Sequence, residues 1–328
     1  MFAEEYKGIN SFLRGAARLL LKHGVARETR GLKCYELTEP FMFKITNPVC
    51  RICTIPERNW FKALPYAESL WLASGRNDMD FITHYLPHMA EYSDDGIFMR
   101  GGYGPRLRFY DGGMADYKIR IAKDISAGYT DQFRYVVDCF KKDSYTRRAV
   151  INIGDPVKDD FDENGNLKET KDIPCSRSIQ FMRNVETGKL DMTVLMRSND
   201  IMWGASAVNI FNFTFMQEYF SAIFGLEVGS YYHIANNFHY YENFRSQLEQ
   251  IAYSKPVDEV RGGFKKSFHS LEGFDALVAQ LSEAESKMRM DIISYDPTMF
   301  EDEFFQNWHD VLYRFNLKRA NNNNVSSG

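Results

Sequence analysis

A cysteine that follows a proline and opens an alternating run constrains this chain more than any other feature. Pro174 and Cys175 lead into Ser176–Phe181, whose side chains fall by turns on two faces of a strand. A second such run closes on Leu195–Asp200, with Arg197 and Ser198 at its end. The stretch from Asn209 to Phe224 is apolar nearly all round, which predicts a buried helix ended by Gly225. Residues 229–241 are rich in aromatics and predict one further strand, ending in His239-Tyr240-Tyr241.

The remaining helices follow from apolar spacing. Ile9, Phe12, Leu13, Ala16, Leu19 and Leu20 line one face over 9–23. A helix over 57–75 carries Leu64, Ala67, Leu70 and Trp71 on one stripe, and Glu68 falls on that stripe. Another over 131–142 turns Phe133, Val136, Val137 and Phe140 inward. Helices are expected over 270–289 and 299–318, where Phe304, Phe305, Trp308, Tyr313 and Phe315 suit packing onto a main domain. The expected organisation is a domain over 1–250, a helical extension over 251–318 and a frayed polar tail over 319–328.

Composition narrows the function classes. A net charge of −4 over 328 residues argues against a dedicated nucleic-acid binder. No apolar run is long enough to span a bilayer. Five cysteines and no basic-then-apolar leader read as a reduced, cytoplasmic chain. Cys50 and Cys53 have the spacing of half a zinc site, but no second pair lies near them, so no metal is expected. Residues 155–172 form a charged insertion; Asp160 to Gly165 open like a calcium loop, but Lys171 stands where the bidentate glutamate belongs.

Several residues stand out chemically. Cys175 lies beside Arg177 and, if the two alternating strands pair, near Arg197; cations lower a thiol's pKa and make it a nucleophile. Taken alone, a cysteine on an apolar strand is a core residue. Glu68, on an apolar stripe, should have a raised pKa and be able to hold a proton or organise water. Arg147 and Arg148 adjoin a buried strand and point to opposite faces, so one of them should meet an anion or an interface. Arg30-Gly31 lies in a loop, and Tyr103-Gly104 belongs to a glycine-rich turn reaching Arg108.

In this order and spacing, over roughly residues 27–245, the set resembles the thymidylate synthase family. Members carry one carbon to C5 of a pyrimidine nucleotide. A thiolate adds at C6, and the electron density pushed to C5 attacks an electrophilic methylene. The resemblance implies a nucleophile at Cys175, with Glu68, Tyr103 and Asp200 as further catalytic residues. Arg30, Arg197 and Ser198 would hold the phosphate, joined by Arg147 and Arg148 from the neighbouring subunit of a homodimer. Gln180, Asn209, His239 and Tyr241 would meet base and sugar. The implied ligands are a pyrimidine nucleoside monophosphate and the folate 5,10-methylenetetrahydrofolate. The fold the resemblance implies is α/β (α+β), a large, bent mixed sheet flanked by helices, with extra helices from the C-terminal stretch, and the family's dimer forms back to back through that sheet.

Departures from the family pattern bear on the product. Ser176 replaces the usual histidine after the nucleophile, and one extra residue lies between Gly204 and Asn209. The tryptophan-bearing wall that packs folate is here Pro87–Ser93, without tryptophan, and the family's folate-closing C-terminal segment is not found. Those parts normally keep water from the one-carbon adduct. The favoured expectation is therefore dUMP hydroxymethylation, in which water captures that adduct. Reductive methylation to thymidylate, hydroxymethylation of dCMP or CMP, and a non-catalytic nucleotide binder are the alternatives. Asn209 can both donate and accept, which suits uracil; members that prefer cytosine tend to carry aspartate there.

Overall fold

A computed structural model describes residues 1–29, 31–118, 128–290 and 296–326, with side chains of the final helix described through 322. Arg30, assigned above to phosphate, lies outside the described residues.

The strands are β1 (Phe2–Tyr6), β2 (Val25–Thr29), β3 (Leu32–Glu36), β4 (Phe41–Ile45), β5 (Val150–Asn152), β6 (Ser176–Arg183), β7 (Leu190–Met196), β8 (Asn199–Asp200), β9 (Val228–Ala235) and β10 (Phe238–Tyr241). The helices are α1 (Ile9–His23), α2 (Ala63–Ala73), α3 (Met79–Tyr85), α4 (Tyr103–Arg108), α5 (Gln132–Lys142), α6 (Pro156–Asp159), α7 (Ile210–Phe224), α8 (Arg245–Tyr253), α9 (Leu271–Arg289) and α10 (Glu303–Ser326). A mixed sheet runs in the order β1-β4-β9-β7-β6-β5, and a smaller one β2-β3-β10-β8.

The two alternating runs pair as expected: β6 lies antiparallel to β7, with Ser176 opposite Met196 and an irregularity between Ser176 and Ser178. Ile179 and Phe181 of β6 and Met192 and Val194 of β7 are buried together on one face. Helix α7 lies on that face, anchored by the buried Gln217 amide, which donates to Leu190 O at 2.8 Å and Ser230 O at 3.1 Å. A helix buried all round must satisfy its own polar groups. Accordingly Thr214 Oγ1 donates to Ile210 O at 2.6 Å, and Glu218 pairs with Arg51 and Lys266. Gly225 ends α7 at φ 64°, the left-handed conformation that glycine adopts without strain.

The other face of the large sheet carries Met42, Lys44, Gln180, Met182, Thr193, Leu195, Tyr232 and Ile234, all at least partly exposed. Apolar side chains thus cross four adjacent strands without a covering layer among the described residues.

Three expectations change. Residues 229–241 are not one strand: β9 joins the large sheet and β10 the small one, with the chain turning at Asn236–Asn237. The helix expected over 57–75 is a 3₁₀ turn, Pro56–Arg58, then α2; Asn59 between them adopts φ 47°. The last helix continues through Ser326 instead of stopping at 318. Helices α9 and α10 share the main core: Phe215 of α7 stacks on Phe304 at 4.4 Å, and Trp308 Nε1 donates to Tyr66 O at 2.7 Å.

Candidate active site

Cys175 sits at the entry to β6, half-buried, and is held there by its neighbours' backbones. Arg197 donates from Nε to Pro174 O at 3.0 Å and from Nη2 to Ile173 O at 2.8 Å, while its own N–H donates to Cys175 O at 2.8 Å. The end of β7 therefore clamps the two residues leading to the sulfur through their carbonyls. On the other side the Ser176 N–H donates to Tyr103 Oη at 3.1 Å. Burial, with the neighbouring Cys175 second, raises the Tyr103 phenol well above its ordinary value, so it stays a protonated donor. Ser176 Oγ is fully buried without a hydrogen-bond partner, in a place where the family usually has an imidazole.

Asp200 follows at the end of β8 and caps a nine-residue π-helical segment, Ile201–Asn209, by accepting from Trp203 N. Burial raises its carboxyl to about 6, against the pull of the backbone N–H groups of Trp203, Met202 and Gly204. The π-helix explains how the chain takes up its extra residue. An i→i+5 turn, here Ile210 N–H to Ala205 O, holds one residue more than an α-turn. Gly204 is needed at this turn. A Cβ there would lie 2.4 Å from Asn199 Oδ1 and 2.8 Å from Asn209 Oδ1. Asn199 in turn donates to the buried His233 Nε2 at 2.9 Å, and His233 Nδ1 meets Tyr231 Oη at 2.7 Å. Burial depresses His233 to about 3, so this chain of contacts carries no charge at neutral pH.

His239 lies beside Asp200, the two strands running parallel. Burial lowers its imidazole to about 4, and its Nδ1 has no hydrogen-bond partner. The Tyr241 ring stands edge-on to it at 5.3 Å, as the two ends of a His-x-Tyr element on one strand face must. Ser198 Oγ reaches Asn237 Oδ1 at 3.5 Å, a long contact.

Glu68 projects from α2 into a cleft of about 450 Å3, also walled by Arg58, His88, Met89, Tyr92 and Trp203. Burial raises Glu68 to about 7. Because its folded value lies above its ordinary 4.5, the group favours the fold fully below about 4.5, and this contribution fades as pH rises through 7. Against a Glu68→Gln variant, wild-type unfolding free energy should fall by about 2 kcal/mol between pH 5 and 8, after discounting for solvent in the open cleft. Parallel urea titrations of the two proteins across that range test this; a pH-independent difference would refute it.

Two assignments are not gathered here. Gln180 lies five residues along β6 from Cys175, about 16 Å at strand rise. Its amide donates to Arg147 O at 3.0 Å on the open sheet face, so it belongs with the paired arginines and not beside the sulfur. Arg147 and Arg148 are themselves exposed, on the segment leading to β5. Sequence reasoning missed Arg58, whose guanidinium donates to Ser206 Oγ at 3.0 Å and Met202 O at 2.7 Å. Desolvation, the first cause, lowers its pKa. The same reasoning placed Pro87–Ser93 at the folate wall without singling out His88, and it missed Trp203, whose stacking on His88 joins segments far apart in the chain. Among the described residues no group of three or more His, Cys, Asp or Glu is placed to hold a metal ion.

The Thymidylate synthase family pattern matches residues 14–292. A deoxyuridylate hydroxymethyltransferase of Bacillus phage SP01 is 36% identical over 222 residues, 68% of this chain and 54% of that protein. One of Pseudomonas phage M6 is 27% identical over 303 residues, 92% of this chain and 79% of that protein. A thymidylate synthase of Symbiobacterium thermophilum is 29% identical over 191 residues, 56% of this chain and 60% of that protein. The match thus spans about half the length of the Bacillus phage relative. Since the pattern runs from α1 to beyond α9 and takes in both the clamped cysteine and the glutamate of the cleft, the chain belongs to the thymidylate synthase family.

Proposed function

We propose that this protein hydroxymethylates dUMP at C5. When bound, 5,10-methylenetetrahydrofolate supplies the one-carbon unit; the rest is done by side chains of this protein. Cys175, beside the Arg197 guanidinium, adds as thiolate to C6 of the pyrimidine. Tyr103 and Glu68 hold and move protons, Glu68 being poised near 7. Asn209, with His239 and Tyr241, meets base and sugar, and Arg197 and Ser198 meet phosphate. The cleft's volume and its apolar and aromatic walls fit a folate-sized ligand.

The observation that carries the choice of product is the cleft wall. Along Pro87–Tyr92 it carries His88, Met89 and Tyr92 where the family has tryptophans that shield the adduct, and although Trp60 and Trp203 line the cleft from other segments, this stretch favours access of water. The names of the two phage relatives support the same reading. Reductive methylation to thymidylate is the second reading, favoured by the bacterial relative's name.

The uncovered face of the large sheet, with Arg147 and Arg148 exposed nearby, supports a back-to-back homodimer in which those arginines serve the partner's phosphate site. No helix among the described residues is long and apolar enough to cross a membrane, and a cytoplasmic setting suits the folate and nucleotide substrates.

Incubation with dUMP labelled at C5 with tritium and with methylenetetrahydrofolate tests the reaction. Hydroxymethylation releases tritium and forms 5-hydroxymethyl-dUMP, identified by mass, without dihydrofolate absorbance. Stoichiometric dihydrofolate and thymidylate would overturn it in favour of the second reading.

A further inference from the structure

His88 sits in the 3₁₀ turn Pro87–Tyr92, on the wall of the cleft into which Glu68 projects. Its imidazole is held on two sides. Nδ1 lies 2.9 Å from Glu91 Oε1, and the ring stacks on Trp203 with centroids 6.0 Å apart and planes at 22°. Tyr92 stands edge-on to it at 5.6 Å. In a neutral ring, a proton on Nδ1, the nitrogen that faces the carboxylate, leaves the Nε2 lone pair free to accept a proton. Trp203 reaches this position from the π-helical segment that takes up the extra residue, so the stacking partner and the inserted residue belong to one local change.

We propose that His88, oriented by Glu91 and Trp203, is the base that activates the water captured by the C5 adduct. This rests on the hydroxymethylation reading above. The water oxygen bonds to the exocyclic methylene carbon, and the π electrons of that double bond move through C5 onto the C4 oxygen as an enolate. The proton released by water goes to His88 Nε2. The enolate then collapses to restore C5=C6 and expels the Cys175 thiolate from C6. Nothing is oxidised or reduced. His88 is 44% exposed, so it can return its proton to solvent.

With its carboxyl raised to about 7, Glu68 is suited to donate as well as to accept, so a second base leaves it free for the donor's part. Arg58, also on this wall, cannot accept a proton at neutral pH. A dyad of imidazole and carboxylate is the usual way to build a base of moderate strength.

The test is a competition between water and an added thiol, 2-mercaptoethanol, for the same electrophilic methylene. Wild-type protein, His88→Gln and Glu91→Gln are compared with dUMP and methylenetetrahydrofolate, and products are resolved by mass. Equilibrium binding of dUMP and of folate is measured alongside. In His88→Gln the hydroxymethyl product should fall about 100-fold. The thioether product should rise, and both ligands should bind within twofold of wild type. Glu91→Gln should shift the ratio in the same direction by about 5-fold. An unchanged ratio of water to thiol product in His88→Gln overturns the proposal, as does a loss of both products in step with lost ligand binding. Should wild type make thymidylate and dihydrofolate, the hydroxymethylation reading itself fails, which the first comparison shows before any variant is made.

Discussion

Replacing Cys175 by alanine is expected to lower turnover by about 10⁴-fold or more, because no other group here can form the bond to C6 that makes C5 nucleophilic. The thiol is half-buried, and its surroundings are rigid for reasons that do not depend on the sulfur. Arg197 grips the carbonyls of Ile173 and Pro174, and the Ser176 N–H is tied to Tyr103. Alanine should leave that frame intact, so dUMP should bind within a few-fold of wild type, measured by equilibrium titration. If the variant turned over normally, the covalent mechanism would be wrong. The same variant examines subunit sharing. Mixed and reassembled with an Arg147→Ala/Arg148→Ala partner, it forms hybrid dimers in which one site has both its cysteine and the arginines from across the interface. From two inactive parents, roughly a quarter of wild-type activity should reappear under random assortment. No recovery would mean that each subunit fills its own phosphate site.

The parts of this site that could be read from the chain are those whose signal is local. Pro174, Cys175 and the alternation after them mark a strand entry, and β6 lies there because Ile179 and Phe181 need a buried face. Helix α7 ends at Gly225 because a left-handed residue is needed there. The aromatic spacing of Phe304, Phe305 and Trp308 announced packing, and these rings are buried against α7 and α2. What escaped was settled by pairing across long separations. Residues 229–241 keep one aromatic character throughout, yet β4 and β7 claim the first part and β3 and β8 the second. The π-helix follows from one inserted residue between two positions held elsewhere, Asp200 by its strand pairing and Asn209 at the head of α7. The stretch reaching Arg108 reads as a glycine-rich turn, whereas Tyr103–Arg108 is helix α4 with Arg106 and Arg108 buried. Their burial depends on carboxylates that no local pattern could locate, Asp159 for one and Asp131 with Asp275 for the other.

Removing the first of those carboxylates should be the most damaging change away from the chemistry. Arg106 and Asp159 form a two-pronged pair, at 2.7 and 2.9 Å, with both side chains fully buried. Arg106 also donates to Ile153 O at 2.9 Å, and Arg100 adds a second cation 3.1 Å from Asp159 Oδ1. Burial alone would push the Asp159 carboxyl up; the Arg106 hydrogen bonds and charge outweigh it and hold the group below its ordinary range. Its stabilising contribution is therefore present at neutral pH and is lost as pH falls toward that depressed value. Asp159→Ala would strand one guanidinium completely out of water and deprive another, at a cost of about 3–5 kcal/mol in unfolding free energy. A urea titration at pH 7 measures it, and a loss under 1 kcal/mol would show that Arg106 finds solvent or another partner. The double change Arg106→Met with Asp159→Leu should recover most of the loss, since both charges then leave together. Activity should follow in a characteristic way. Arg100, which pairs with Asp159, also donates to Asp172 O at 3.1 Å, and the Asp172 carboxylate accepts from Gly101 N at 2.7 Å, three residues before the nucleophile. The double variant, though stable, would leave Arg100 with only Asp116 of its two aspartates and so loosen the lead-in to Cys175. It should therefore show restored stability but a lower kcat than wild type, with dUMP affinity changed less than kcat; equal restoration of both would separate the ion pair from the positioning of the sulfur.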